Sequence, residues 1–185
     1  HTAYRRQRQM CIRDRNNVYV RATGTTCGID EFNGPLGQYF DRHYPDFHFG
    51  HKSYELAEMA MLQDAISHAL KKGKLKKDDI NVFLGGDLNN QVTASNYTAK
   101  DFQRPFMAMY GACATMGLVI NTASMLIENH CIHNANCFVC SHNATAERQF
   151  RYPIEYGVQR KETMTTTATG CLLYTSPSPR DQRGS

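Results

Sequence analysis

The 185-residue sequence has no tryptophan and only six prolines. It also lacks any apolar run of the roughly 18–20 residues that a membrane-spanning helix needs. A membrane role is therefore expected to be peripheral. No internal repeat of about 20–50 residues is present, which excludes a solenoid or propeller. No secretory leader is recognisable, and the seven cysteines are an odd number. Both features read as free thiols in a reducing compartment, not as a disulfide framework.

The formal net charge of +4 comes from the ends. Residues 5–15 read RRQRQMCIRDR, with five arginines and one acid, a composition that alone would suit phosphate binding. The other end removes that reading. Back-translated as ATG TGT ATA AGA GAC, with Arg15 beginning AG, the stretch MCIRD has the reverse complement CTGTCTCTTATACACAT, which from its second base encodes CLLYT, found at Cys171–Thr175. Both ends thus read as one DNA element on opposite strands, resembling the mosaic end of a transposase sequencing adapter; the partner adapter would supply PSPRD. Three segments are expected: 1–15 and 171–185, adapter-derived and without a packed role, and 16–170, a native gene fragment. The 155 residues of that fragment carry 14 basic and 15 acidic side chains and five cysteines. No nucleic-acid partner is expected from a balance so close to neutral.

Within 16–170, VYVRATG alternates like a strand, and TTCGIDEFNGPLG reads as a loop with an Asn-Gly-Pro turn. Leu56, Met59, Ala60, Leu62, Ala65, Ile66, Ala69 and Leu70 recur at helical spacing, and the basic LKKGKLKK reads as that helix's solvated exit. INVFLGG, PFMAMYG, CFVCSHN and TMTTTATG read as strands. Val92–Phe102 reads as a helix, and Ala112–Glu128, apolar nearly all round, as a buried central one. Strands alternating with helices predict an α/β layered fold on a mostly parallel sheet.

The densest chemical feature is YGACATMG. A strand meets a tight turn at Gly111, and Cys113 then opens a helix, where free N–H groups and the dipole favour a thiolate nucleophile. A small core cysteine is the plainer alternative. Cys131, His133, Cys137, Cys140 and His142 number enough for zinc, but strand alternation sends Cys137 to one face and Cys140 with His142 to the other. Buried thiols and a surface histidine are expected there, and no metal. The CFVCSHN strand ends at His142, the polar run Asn143, Glu147, Arg148 and Arg151 follows at its C-terminal end, and Asp87 ends another strand. In open α/β sheets ligands bind beyond such strand ends. Two arginines three apart suit a dicarboxylate, although Arg148 pairing with a nearby acid and Asp87 capping the next helix are equally simple structural roles.

GPLGQYFD, LKKDDINVFLGGDLNNQ, YGAC and above all SHNATAERQFRYPIEYG, over a span from Asn16 to Gly170, resemble the stage V sporulation protein AD family, thiolase-like proteins of endospore formers. The ENHCIHNANCF stretch and Cys27 depart from the family pattern. The resemblance implies the N-terminal half of a thiolase-like fold, with Cys113 at the position of the thiolase nucleophile. It implies a non-catalytic component of the SpoVA machinery at the spore inner membrane, binding dipicolinic acid without a cofactor. Other SpoVA proteins would be its partners, and the full-length protein would be a homodimer. Cys113, Asp87, His142, Asn143, Arg148 and Arg151 are the candidate ligand residues. The competing reading is an acyl-transferring enzyme of thiolase or ketoacyl synthase type with Cys113 as nucleophile; its activating histidine would have to come from the other half.

Overall fold

All five residues of Val82–Gly86 are buried, as expected of a strand covered on both faces. The structure, a computed structural model, describes residues 18–146 and 167–175. Its strands are β1 (Tyr19–Cys27), β2 (Arg42–His43), β3 (Val82–Gly86), β4 (Phe106–Ala108), β5 (Asn134–His142) and β6 (Thr167–Thr175). They form one sheet in the order β2-β1-β6-β5-β3-β4. β1 runs parallel to β2, and β3 runs parallel to β4 and β5. β6 is antiparallel to both β1 and β5. Five strands therefore share one direction, with a single reversed strand between them.

Helices α1 (Ile29–Phe32), α2 (Tyr54–Gly73), α3 (Thr93–Phe102) and α4 (Thr115–Glu128) complete the fold. The Ser53 hydroxyl caps α2 by accepting from the Leu56 N–H at 3.3 Å. Lys74, left-handed with φ 52°, ends it, its N–H returning to Leu70. Such a cap satisfies carbonyls that the last turn leaves open. On one side of the sheet Leu62, Ala65, Ile66 and Ala69 of α2 pack on Phe83, Phe138, Cys140 and Leu173. On the other side Val119, Ala123 and Ile127 of α4 pack on Val82, Leu84, Ala135 and Cys137. The expected α/β layering is present. β5 alternates as its sequence dictates, Phe138 and Cys140 to one layer, Ala135 and Cys137 to the other.

Four expectations need correction. The TTC read as loop extends β1, because Thr26 and Cys27 are buried and paired with β2. The α2 face is rotated: Leu56 is exposed, while Met61, off the expected stripe, is fully buried. α4 is not covered all round; Leu118 and Met125 are each 41% exposed, so an apolar circumference does not by itself specify two packed faces. Finally, Cys171–Thr175 does have a packed role. These residues finish β6, with Cys171 and Leu173 buried against α2 and Leu172 and Tyr174 in the opposite cluster. A short apolar alternation is sufficient to fill a central strand, whatever its coding origin. Residues 1–15, like 176–185, lie outside the described residues.

Candidate functional site

The C-terminal ends of β3 and β5 and the turn before α4 converge on one cavity. β3 stops at Gly86, where an added Cβ would stand 2.0 Å from the Met109 carbonyl oxygen. Only glycine lets the strand end and the 109–111 turn approach so closely. The turn is held by Thr115, whose hydroxyl accepts from the Gly111 N–H at 3.0 Å and donates to the Ala112 carbonyl at 2.8 Å. Ala112 sits at φ 48°, a conformation that costs a non-glycine residue about 1 kcal/mol or more. Cys113 follows in a short 3-10 turn (Ala112–Ala114) that feeds α4, and it is exposed. The cavity, about 310 Å³, is lined by Gly86, Asp87, Cys113, Met116, Cys140 and Ser141 among others. The junction expected from YGACATMG is therefore present, and its thiol borders a cavity at the strand ends.

Asp87, 2% exposed, also does what its structural alternative required. Its Oδ1 accepts from the Asn89 N–H at 3.0 Å. Its Oδ2 accepts from the Ser95 N–H at 3.2 Å and the Ser95 hydroxyl at 3.1 Å. Val92, the residue at the cap of α3, makes no side-chain cap bond, so Asp87 serves the first turn of α3 from the end of β3. Burial pushes its carboxyl up, and these donors offset part of the rise.

Behind the cavity wall lies a buried chain that sequence reasoning missed. The Cys140 thiol neighbours the carboxyl of Glu58 and lies 4.0 Å from the Ser95 hydroxyl, which is bonded to Asp87. The Thr145 hydroxyl donates to Glu58 at 2.6 Å. Glu58 is 3% exposed, and burial pushes its carboxyl up to about 7, with Asp87 and Glu55 adding to the rise. Burial, Glu58 and Asp87 push the Cys140 thiol well above its ordinary range. The signal was in the sequence: Glu58 stands three and four positions before Met61 and Leu62, on an apolar helix face where a carboxylate is out of place.

The exposed histidine of the 131–142 stretch is His133; His142 is buried, 1% exposed. Its Nδ1 accepts from the Ala144 N–H at 3.1 Å, so the proton resides on Nε2, which donates to the Phe47 carbonyl at 2.8 Å. Phe47, Phe49 and Tyr54 surround the ring. Both nitrogens are thus engaged by backbone, and His142 is not among the cavity-lining residues. Nor is Asn143, half-buried in the turn beyond β5. Glu147, Arg148 and Arg151 lie outside the described residues. Of the six candidates, the structure brings Cys113 and Asp87 to one cavity. Among the described residues no group of three His, Cys, Asp or Glu side chains is placed to hold a metal ion. Cys131 and His133 are exposed at a turn, and Cys137 is buried on the α4 face.

The fold has known counterparts. It superimposes on 3-oxoacyl-[acyl-carrier-protein] synthase III from Aquifex aeolicus with a TM-score of 0.57 at 10% identity, over 88% of this chain and 54% of that one. It matches OleA from Xanthomonas campestris, solved with bound lauric acid and lauroyl-CoA, with a TM-score of 0.58 at 11% identity, over 88% and 57%. Identities this low establish the thiolase-like fold and nothing about chemistry. In sequence, the chain is 46% identical over 165 residues to stage V sporulation protein AD of Bacillus subtilis (strain 168), covering 89% of this chain and 49% of that protein. It thus spans about half the length of that curated relative. The family model for stage V sporulation protein AD matches residues 8–177. The chain belongs to the stage V sporulation protein AD family, on a thiolase-like fold.

Proposed function

We propose that this chain forms part of a non-catalytic ligand-binding protein that takes dipicolinic acid into the cavity beside Cys113. In this reading it serves the SpoVA machinery at the spore inner membrane, alongside other SpoVA proteins and as a homodimer. Family membership supports the sporulation role. The observation that carries the ligand reading is the cavity of about 310 Å³ at the ends of β3 and β5, within the size range of small-molecule sites. No helix among the described residues is long and apolar enough to cross a membrane. Arg148 and Arg151, three to six positions beyond Thr145, remain the proposed carboxylate donors.

Calorimetric titration of the full-length chain with dipicolinate tests this. A charge-assisted hydrogen bond contributes about 1.5–3 kcal/mol, so Arg148→Ala or Arg151→Ala should weaken binding about tenfold or more. Unchanged affinity in both variants would make the arginines structural. A second reading, acyl transfer, is favoured by the exposed Cys113 at a strand-to-helix turn facing the cavity. Mass-spectrometric detection of acyl-Cys113 after incubation with acetyl-coenzyme A, without dipicolinate binding, would establish it instead.

A further inference from the structure

Two buried carboxylates with unequal hydrogen bonding stand at the cavity: Asp87 in its wall and Glu58 behind Cys140. Asp87 accepts from two backbone N–H groups and one hydroxyl. Glu58 accepts from the Thr145 hydroxyl at 2.6 Å, with the Cys140 thiol beside it. Carboxylates rich in donors keep their charge when buried, and those poor in donors take a proton. Cys140, which borders the cavity, stands between Glu58 and Ser95, and Ser95 bonds Asp87. The groups facing Glu58 are Glu55 on its own helix, Asp87 beyond β3, Cys140 on β5 and Thr145 after it; Ser95 on α3 lies beyond Cys140. His142, held neutral by backbone, faces Glu55.

We propose that Glu58 holds the single proton of this buried pair and that an anion entering the cavity is bound together with a proton carried on Glu58. The proposal rests on the cavity taking an anionic ligand. An anion beside Asp87 adds a further negative charge within reach of Glu58, so the ionised form of Glu58 becomes less favourable and it draws a proton from solvent. No bond to the ligand is made or broken, and the thiol of Cys140 keeps its hydrogen. Affinity then rises as pH falls through neutrality.

Two arms test this on the full-length chain. The first needs no ligand: a carbon-13 titration of the glutamate carboxyls, with the Glu58 signal assigned by its loss in Glu58→Gln. The expected midpoint is near 7; a midpoint in the ordinary range of about 4, as for a carboxylate paired with a cation, overturns the proposal. The second is calorimetry of dipicolinate binding at neutral pH in buffers of different ionisation enthalpy. The parent should take up a measurable fraction of a proton and bind several-fold more weakly at pH 8 than at pH 6. Glu58→Gln should bind with little proton uptake and a flatter pH dependence. The proton count on the parent stands even where the variant folds poorly. Binding without proton uptake in the parent overturns the linkage. No binding at any pH removes the ligand reading and the linkage together, while the first arm still decides where the proton is.

Discussion

His142 donates from Nε2 to the carbonyl oxygen of Phe47, 2.8 Å away and 95 positions earlier in the chain. This bond ties the end of β5 to the loop before α2, and it requires a neutral ring because Nδ1 is an acceptor. Burial lowers the imidazole from its ordinary 6.5. Between that lowered value and 6.5 the unfolded chain therefore binds more protons than the folded one. Stability from this group is complete above about 6.5 and is lost as pH falls below it. His142→Ala is expected to cost about 2–4 kcal/mol at pH 7.5, from the cavity and the lost bond. The deficit should shrink at pH 5, where the parent loses stability as well. Urea unfolding at both pH values checks this; a constant difference would show that the ring does not titrate with folding.

Glu58 has the opposite sign. Its carboxyl is raised in the folded chain to about 7 from 4.5, so over that window the folded state binds more protons. Stability is greatest below about 4.5 and declines as pH rises through 7. Glu58→Gln keeps an acceptor for Thr145 without the charge. It should match the parent near pH 5 and exceed it by about 2–4 kcal/mol at pH 8. Unfolding midpoints across that range supply the measurement, and two parallel curves would remove the buried-proton account.

How far the sequence could be read follows from what each residue's neighbours are. The β5 alternation was legible because period two alone separates Cys137 from Cys140. The YGAC turn was legible because glycine, a strand and a helix start are local signals. Asp87 could be narrowed to a cap or a ligand, and the geometry makes it a cap that also borders the cavity. The burial of His142 was not legible, since Phe47 and Tyr54 reach it from distant sequence. The exposed side of α4 is not legible, because an apolar helix records that it is covered somewhere, not by which layer. Glu58 escapes a count of apolar positions at helical spacing, which does not register the acid among them.

β6 lies between β1 and β5 and supplies pairing to both. Leu173 is fully buried against the α2 layer. Removing residues 171–185 should therefore destabilise the chain instead of leaving its folding unchanged. Leu173→Ala should cost about 2–5 kcal/mol. Thermal unfolding of the truncated and substituted chains decides it; a truncated chain melting at the parent's temperature would show that Cys171–Thr175 contributes no packing.

The thiols separate by accessibility. Cys113 and Cys131 are exposed, while Cys27, Cys137, Cys140 and Cys171 are buried. Burial raises Cys27 to about 11 and Cys171 to about 12, and it raises Cys137 and Cys140 as well. Alkylation depends on thiolate and access, so brief iodoacetamide treatment of the folded chain should label Cys113 and Cys131 and spare those four. Cys131 lies in the turn after α4 and does not line the cavity. It is therefore an internal control. Dipicolinate bound beside Cys113 should slow labelling there several-fold while Cys131 reacts at its former rate, both followed by peptide mass spectrometry. Equal protection of the two would indicate a global effect on the fold. Protection of neither, at dipicolinate concentrations that calorimetry shows to be saturating, would place the ligand away from this cavity.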